Sequence, residues 1–326
     1  EAGVSIATVS RALRKPGVVR PETARRINEA IEKLEYKPNL IAASLRRQRA
    51  DAVIVAVTDI SNPFTSSFVQ GIENVARENG MKVLLGLTEG RRDLLDRHYD
   101  MVSSKQADGM ILLDINRPTV IARRKPGDPP LPIVVACEYE EHIDLPRVRF
   151  DDIEAAALAA RHVAELGHTL VATVSGPTGQ RMSQDRQRGF RLGMRRCGLE
   201  IESKLMAVGD YSIQSGVDAV GRLLDSGLKF TALLCENDEM AVGAIYAIAI
   251  RGLSIPDDIS VIGIDNLRFA EFANPGLTTI ALPTTAIGEQ AMQLMLDFNL
   301  EGGGSTREVI MPHELIVRAS TAPPRM

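Results

Sequence analysis

From Ala52 onward, short apolar runs alternate with longer amphipathic segments, and this alternation constrains the fold more than any other feature of the sequence. Seven runs are candidate strands: VIVAV (53–57), KVLLGL (82–87), GMILL (109–113), PIVVA (132–136), TLVATV (169–174), TALLC (231–235) and ISVIGI (259–264). Candidate helices lie between them, at 66–79, 91–104, 152–166, 184–196, 213–226, 239–251 and 284–300. Strands that are apolar on both faces are typical of parallel sheets covered by helices on either side, so we predict an α/β fold.

A weak internal repeat suggests two similar lobes, although chance similarity is the alternative. QGIENVARENGM (70–81) and RGFRLGMRRCGL (188–199) each follow a strand and an irregular loop, and each places two glycines nine residues apart. The chain of 326 residues exceeds one ordinary core. Two lobes of about 120 residues each would fit that length. Ligands of open α/β sheets bind beyond the carboxyl ends of the strands, so two facing lobes would enclose a site between them.

The first 49 residues differ from the rest of the chain in charge. They carry a formal net charge of +6, whereas residues 50–326 carry −10. A small basic head on a large acidic body indicates a module that binds a polyanion.

The stretch VSIATVSRALRKPG near the start predicts a helix over Ser5–Leu13, with the Ser5 hydroxyl as its N-cap. Ile6, Ser10 and Arg11 fall on a face of this helix that has no acidic residue. A solvated helix face normally mixes both signs of charge. Hydroxyls and arginine on an acid-free face can instead contact phosphates and guanine edges.

Two further helical pieces complete the head. PETARRINEAIEKLEY predicts a second helix from Pro21, and NLIAASLRRQR (39–49) predicts a third, short and basic piece. Helices joined by a compact turn, one with a Ser/Thr/Arg face, are what a helix-turn-helix protein presents to the major groove. A small solvated helical hairpin is the alternative.

Several classes of function are disfavoured by what the sequence lacks. It has no GxSxG, Walker, GxGxxG or HExxH motif and no metal-ligand spacing of its histidines, so we expect neither an enzyme nor a metal or other cofactor. It has no apolar run long enough to span a membrane and no signal segment at its start. Three cysteines in no paired pattern favour the reducing cytoplasm.

The motifs of the whole chain resemble those of the LacI/GalR family of bacterial transcription regulators. In the head these are VSIATVSRAL, VRPETARRINEAIEKLEYKPN and LIAASLRR. In the body they are SNPF (61–64), DGMILL (108–113), RQRGF (186–190), CENDEMAVGA (235–244), ISVIGIDN (259–266), LTTIALP (277–283) and HELIVRAST (313–321). The resemblance implies a two-lobed core like that of periplasmic binding proteins, with two doubly wound parallel sheets, preceded by an all-α helix-turn-helix headpiece.

The resemblance also implies domain boundaries. Residues 1–49 would form the headpiece, with a hinge helix at about 39–46, and residues 50–326 would form the core for effector binding and dimerisation. The first lobe would comprise about 51–150 and 281–309, and the second about 151–280 and 310–326. The family pattern has one more helix before AGVS, so the sequence is expected to be truncated at its N-terminus.

The resemblance assigns DNA contacts to the helix that begins at Ser5 and to the hinge. The bases would be read by Ile6, Ala7 and Arg11. The phosphates would be contacted mainly by Ser5, Thr8 and Ser10. In the hinge, Asn39 begins the helix and Leu45 matches the leucine that wedges into the minor groove, with an ordinary core leucine as the alternative. Ala43 stands where the family usually has an arginine, which removes one DNA contact.

The resemblance places an effector site between the lobes. Its expected residues are Asn62, Phe64, Asp114 and Glu138 from the first lobe and Arg186, Tyr211, Asn237 and Asp265 from the second. Arg186 and Asp265 would bind ligand hydroxyls, and Tyr211 would stack on a ring. A salt bridge between the lobes is the alternative for Arg186, and a half-buried core position is the alternative for Tyr211.

Together these residues suit a neutral, polyhydroxylated effector. ISNPF, CEYEEHIDLP and GDYS are similar to the cytidine-repressor branch of the family, which implies a nucleoside; a hexose, pentose or other sugar is the alternative. The family acts as a homodimer on palindromic operator DNA, and effector binding changes the affinity for DNA. A solute-binding protein with the same two-lobed body but no regulatory role is the competing prediction.

Overall fold

The computed structural model describes residues 1–14, 17–34, 49–114, 116–125, 127–137, 145–301 and 307–325, without the side chains of residues 13, 14 and 301. The chain divides into two compact units, Glu1–Arg49 and Ala50–Met326. Within the described residues, no helix is both long and apolar enough to cross a membrane.

The first unit contains two helices, α1 (Ile6–Arg14) and α2 (Pro21–Lys33). The Ser5 hydroxyl accepts a hydrogen bond from the backbone N–H of Thr8 at 3.2 Å, so Ser5 caps α1 as the sequence predicts. Pro21 occupies the first turn of α2, where its missing N–H leaves no helical bond unmade. Ile27 is the buried residue of α2. Of the third predicted piece, residues 39–48 lie outside the described residues.

The second unit begins with an α/β lobe, which we call the first lobe. Its six-stranded sheet has the order β11-β5-β4-β3-β1-β2, and all of its pairings are parallel. Its elements are β1 (Ala52–Val57), α3 (Pro63–Glu78), β2 (Lys82–Leu87), α4 (Arg92–Ser103), β3 (Gly109–Leu113), α5 (Thr119–Arg123), β4 (Ile133–Ala136), β5 (Arg147–Phe150), α10 (Thr284–Glu301) and β11 (Glu308–Met311).

The second lobe has a sheet of the order β12-β10-β9-β8-β6-β7. Its elements are α6 (Asp152–Glu165), β6 (Val171–Ser175), α7 (Arg181–Arg196), β7 (Met206–Val208), α8 (Ile213–Asp225), β8 (Ala232–Cys235), α9 (Asp238–Ala249), β9 (Ser260–Asp265), β10 (Thr278–Ala281) and β12 (Glu314–Ile316), with short 3₁₀ turns at Ser203–Leu205 and Ala270–Phe272. The strands are parallel except β12, which runs antiparallel to β10. The predicted class, a two-lobed α/β core with two parallel sheets, is therefore confirmed, with β12 as an antiparallel edge strand.

Helices cover both faces of each sheet because the strands are apolar on both sides. In β1, Val53, Val55 and Val57 belong to the core beneath α3 and α10, whereas Ile54 and Ala56 belong to the core beneath α4. The period of two along a strand sends alternate side chains to opposite faces. In the second lobe, α6 and α7 pack together, as do α8 and α9.

The chain crosses between the lobes three times, after β5, after β10 and after β11. The expected boundary at about residue 309 falls near the end of β11, whose pairing with β5 continues to Met311.

The internal repeat corresponds to equivalent glycines in the two lobes. Gly71 in α3 lies so close to α10, and Gly189 in α7 so close to α6, that a Cβ at either would fall within 2.3 Å of a main-chain oxygen. Gly80 and Gly198, nine residues later, both have positive φ just after their helices, at 66° and 75°. Such left-handed positions favour glycine and end helices. The repeat therefore reflects a shared structural role.

Candidate functional site

A cavity of about 440 Å³ lies between the two lobes, at the carboxyl ends of the strands. The first lobe contributes Thr58, Asp59, Ser61, Asn62, Phe64, Thr65, Leu113, Asp114, Cys137 and Phe150. The second lobe contributes Gln180, Met182, Arg186, Asp210, Tyr211, Ser212, Asn237, Glu239 and Asp265. A ligand in this cleft would contact both lobes.

The structure brings together seven of the eight residues that the sequence suggests for an effector site. They are Asn62, Phe64, Asp114, Arg186, Tyr211, Asn237 and Asp265. The eighth, Glu138, lies outside the described residues.

Arg186 lies at the base of the cleft and is held from three directions. Its Nε donates to Asp152 Oδ1 at 2.8 Å, its Nη1 donates to the main-chain oxygen of Glu236, and its Nη2 lies 3.7 Å from Asp265 Oδ1. Only 2% of its surface is exposed. All three partners belong to the second lobe, so the described contacts do not form the salt bridge between lobes that the alternative suggested.

The charges around Arg186 depend on one another. Burial alone would lower the pKa of Arg186, but Asp152 and Asp265 more than offset this and raise it. Burial raises the pKa of Asp152 and of Asp265 above the usual carboxyl value, against the opposing field of Arg186. Arg186 is therefore a candidate for ligand binding, and it also neutralises the buried carboxylates of the second lobe.

Two asparagines place equivalent side chains at the edges of the cleft. Asn62 caps α3 by accepting from Phe64 N at 2.8 Å, and Asn237 caps α9 by accepting from Met240 N at 2.9 Å. Each asparagine lies in the short connection between a strand and the next helix, at the position where a side chain can cap the helix. Asn237 also donates to the Tyr211 main-chain oxygen at 2.8 Å. The amide of Asn237 therefore positions the Tyr211 loop as well as lining the cleft.

Tyr211 lies in a tightly constrained loop. Its φ is +74°, in the left-handed region. Its ring packs so closely on Gly176 that a Cβ there would lie 2.1 Å from the ring. The hydroxyl donates to Glu236 Oε2 at 3.4 Å. Tyr211 is thus half-buried and also lines the cavity, so the two interpretations of this residue are compatible.

The first lobe supplies an aromatic wall and a buried carboxylate. Phe64 and Phe150 meet edge to face, with ring centroids 6.5 Å apart. Asp114, after β3, accepts from the Thr88 hydroxyl and from Asn116 N at 2.7 Å. These bonds fix the carboxylate at the cleft surface.

Three residues that shape the cleft have no role that the sequence alone predicts. Asp152 binds Arg186, Phe150 packs against Phe64, and Glu236 lies beneath Tyr211. Their one sequence signal is position, since each lies within two residues of the end of a strand. Position alone does not reveal their partners.

The cleft is rich in carboxylates. Among the described lining residues, the acids are Asp59, Asp114, Asp210, Glu239 and Asp265, and the cation is Arg186. Burial raises the pKa of Glu239, and the nearby charge of Asp59 raises it further. Because Arg186 already faces two carboxylates, this surface is poorly suited to a phosphate or carboxylate ligand.

In the first unit, α1 presents the residues expected to contact DNA. Ile6 is 83% exposed, and Ser5, Ala7 and Arg11 are also exposed. The first turn of α1 has no acidic residue. An isoleucine this exposed is poorly explained by packing within the described residues. Of the other expected contacts, Thr8 and Ser10 are half-buried, and Asn39 and Leu45 lie outside the described residues.

Both units of the chain match families of known proteins. A family model described as "Bacterial regulatory proteins, lacI family" matches residues 1–39, and one for "Periplasmic binding proteins and sugar binding domain of LacI family" matches residues 50–319. The repressor CytR of Escherichia coli is 36% identical over 98% of this chain and 94% of its own length. The regulator DegA of Bacillus subtilis is 32% identical over 99% and 96%.

Among solved structures, the Lac repressor dimer bound to operator and an anti-inducer superposes with a TM-score of 0.87. It is 25% identical, over 98% of this chain and 96% of that one. Sequence, topology and relatives therefore agree that the chain belongs to the LacI family of bacterial regulatory proteins and is a DNA-binding repressor.

Proposed function

We propose that the repressor controls transcription as a homodimer whose affinity for a palindromic operator is set by a small polyhydroxylated effector, with a nucleoside as the leading class. The effector occupies the cleft between the lobes. The protein acts on chromosomal DNA in the cytoplasm and catalyses no reaction. The observation that carries the proposal is the convergence of seven expected side chains from both lobes on one cavity.

The cleft chemistry supports a neutral effector with several hydroxyls. Asp265 and Arg186 provide an acceptor and donors for ligand hydroxyls, while Phe64 and Tyr211 provide rings against which a planar base can pack. The excess of carboxylates opposes phosphorylated metabolites. A pentose or hexose is the second candidate, since the family model for the core names a sugar-binding domain.

Exposed apolar residues on the core support a dimer. Leu85 and Leu87 on the edge strand β2 are 44% and 42% exposed, and Tyr246 on α9 and Ile250 at its C-cap are each 58% exposed. A second copy of the chain would bury them. The two-fold axis of such a dimer would match that of a palindromic operator.

Operator binding can be tested by selection from a random duplex library. We expect enrichment of a palindrome and an affinity that falls steeply with salt, because phosphate contacts release counterions. Arg11→Ala should weaken binding by about 1–3 kcal/mol and relax selectivity at one base pair of each half-site. Arg195→Ala, which removes an exposed arginine of the core, is the matched control and should change nothing. A pool that stays random and salt-insensitive would favour the solute-binding alternative.

The effector can be found with a thermal-shift screen of nucleosides, pentoses and hexoses, each paired with its phosphate ester. A ligand at 100 times its Kd should add about 2.7 kcal/mol to the free energy of unfolding. We expect a nucleoside to stabilise the protein and its 5′-phosphate to have no effect. A sugar hit would replace the nucleoside and keep the mechanism. Stabilisation by the phosphate ester alone would contradict the electrostatic argument.

A further inference from the structure

Glu236 is a fully buried carboxylate directly beneath the cleft, in the connection between β8 and α9. It is not one of the described residues that line the cavity. Its neighbour in sequence, Asn237, does line the cavity and caps α9. Glu236 can therefore affect a ligand only through the residues that it holds.

The two carboxylate oxygens of Glu236 connect three segments of the second lobe. Oε2 accepts from Gly176 N at 2.7 Å and from the Tyr211 hydroxyl at 3.4 Å. Oε1 accepts from Gln187 Nε2 at 3.0 Å. These bonds join the turn after β6, the loop before α8, and α7.

Gly176 and Tyr211 form a close contact beneath the cleft. The Tyr211 ring occupies the space that a side chain at position 176 would need. One oxygen atom thus binds both the turn on which the ring rests and the hydroxyl at the end of the ring. The orientation of this aromatic side chain in the cleft depends on that oxygen.

The charged and titratable groups facing Glu236 come from several elements. Arg186 on α7 is the cation that favours its ionised form, and the Ser183 hydroxyl on the same helix donates to it. The phenol of Tyr211 faces it from the loop. Cys235 precedes it on β8, and Asp238 follows it at the start of α9. Burial, opposed by these donors and by Arg186, raises the pKa of Glu236 to about 7.

Gln187 can accommodate either protonation state of Glu236. Its Nε2 donates to Glu236 Oε1, while its own Oε1 is buried and has no hydrogen-bond partner among the described residues. A half-turn of this amide would present Oε1 as an acceptor to a protonated carboxyl. After the same half-turn, Gln187 Oε1 would also accept a hydrogen bond from the side-chain N–H in Glu236→Gln.

We infer that Glu236 is a positioning residue of the effector cleft, whose ionised carboxylate holds the Tyr211 ring against the Gly176 turn. The inference rests on the proposed effector role of the cleft. When Oε1 is protonated and donates to Gln187, Oε2 becomes a neutral carbonyl oxygen, which is a weaker acceptor, and the hold on the Tyr211 hydroxyl weakens. The orientation of the Tyr211 ring in the cleft would then change with pH near neutrality.

The test needs no effector. The full chain is labelled with ¹³Cζ-tyrosine, which gives signals from its five tyrosines. The Tyr211 signal is assigned by its loss in Tyr211→Phe and is followed from pH 5.5 to 8.5. We expect the chemical shift of Tyr211 to change with pH with one midpoint near pH 7, and to show no such change in Glu236→Gln. Tyr246 on α9, which the hydrogen bonds of Glu236 do not reach, is the internal control, and its signal should behave identically in both proteins.

One further variant separates Glu236 from its neighbour Asp238. Asp238→Asn should leave the movement intact, because Asp238 binds Thr279 Oγ1 and Leu267 N instead of Tyr211. A Tyr211 signal that is static in the unsubstituted protein, or that still titrates in Glu236→Gln, would overturn the inference. Loss of the movement in Asp238→Asn together with its persistence in Glu236→Gln would assign the proton to Asp238.

Cytidine serves as the probe for the ligand arm. Glu236→Ala should weaken cytidine binding roughly tenfold, since it leaves the Gly176 donor buried without a partner, whereas Glu236→Gln, whose amide oxygen still accepts from Gly176 N, should weaken it much less. If both variants weaken cytidine binding equally, the negative charge of Glu236 sets the affinity. That result would overturn the inference that Glu236 acts by positioning Tyr211 through hydrogen bonds. If cytidine fails to bind the unsubstituted protein, the proposed effector is wrong, and the tyrosine titration still decides the role of Glu236.

Discussion

Replacing Arg186 by methionine should destabilise the protein strongly, because it removes the cation from a buried cluster. Asp152 and Asp265 would remain buried, at 7% and 6% exposure, without the guanidinium that compensates them. Breaking a buried ion pair by removing one partner costs about 3–5 kcal/mol. With a urea m-value of about 3 kcal/mol/M, the unfolding midpoint should fall by about 1–1.7 M.

Arg196→Met on the same helix is the matched control. Arg196 makes a two-bond contact to Glu154, at 2.8 and 2.9 Å, but both side chains are nearly half exposed. An exposed ion pair contributes about 0–1 kcal/mol, so the midpoint of this variant should barely move. Adding Asp152→Asn to Arg186→Met should recover part of the loss.

The destabilisation of Arg186→Met should also depend on pH. Burial already raises the pKa of Asp152 and Asp265, and loss of Arg186 should raise it further. The folded variant then binds protons that the unfolded chain releases above about pH 4, so its stability falls as pH rises. The loss should be larger at pH 8 than at pH 5. Equal losses for Arg186→Met and Arg196→Met, or a loss that grows towards low pH, would refute the buried-cluster argument.

Three other predictions concern packing, protonation and assembly. Gly71→Ala should lower the free energy of unfolding by about 1–3 kcal/mol, because its Cβ would lie 2.0 Å from the main chain of α10. Gly179→Ala, in open space, should change it by less than about 0.5 kcal/mol, and equal urea midpoints for the two would contradict the packing argument. Burial lowers the pKa of His168, so the unfolded chain takes up the proton first and stability should fall as pH drops below about 6.5. Thermal melts at pH 7.5 and 5.5 should differ less in His168→Gln, and an unchanged difference would exclude His168 as the cause. Tyr246→Asp should shift the dimer to monomer in sedimentation velocity, whereas Arg195→Asp should not; a dimeric Tyr246→Asp protein would place the interface elsewhere.

The long elements follow from local sequence patterns. The expected strand at 82–87 coincides with β2, and the expected helix at 213–226 differs from α8 by one residue. Apolar periodicity, caps and turn glycines act over a few residues, so they can be read along the chain. Five strands of the described sheets were not predicted: β5, β7, β10, β11 and β12. Arg147–Phe150 and Met206–Val208 have too few residues to show a period, and their neighbours in the sheet make them strands.

The class of fold, the basic charge of the first 49 residues and the residue types at the strand ends all follow from local sequence patterns. Which of those residues meet depends on how the chain folds in three dimensions. Arg186 contacts Asp152 across 34 positions of sequence and the Glu236 main chain across 50, and no periodic pattern encodes such pairs. Glu236 shows the difference most clearly, since in sequence it is one acid in a polar run, and in the structure it is buried between Gly176, Gln187 and Tyr211. Contacts of this kind arise when parallel strands bring their carboxyl ends to one edge, because the order of strands in the sheet sets which loops are neighbours.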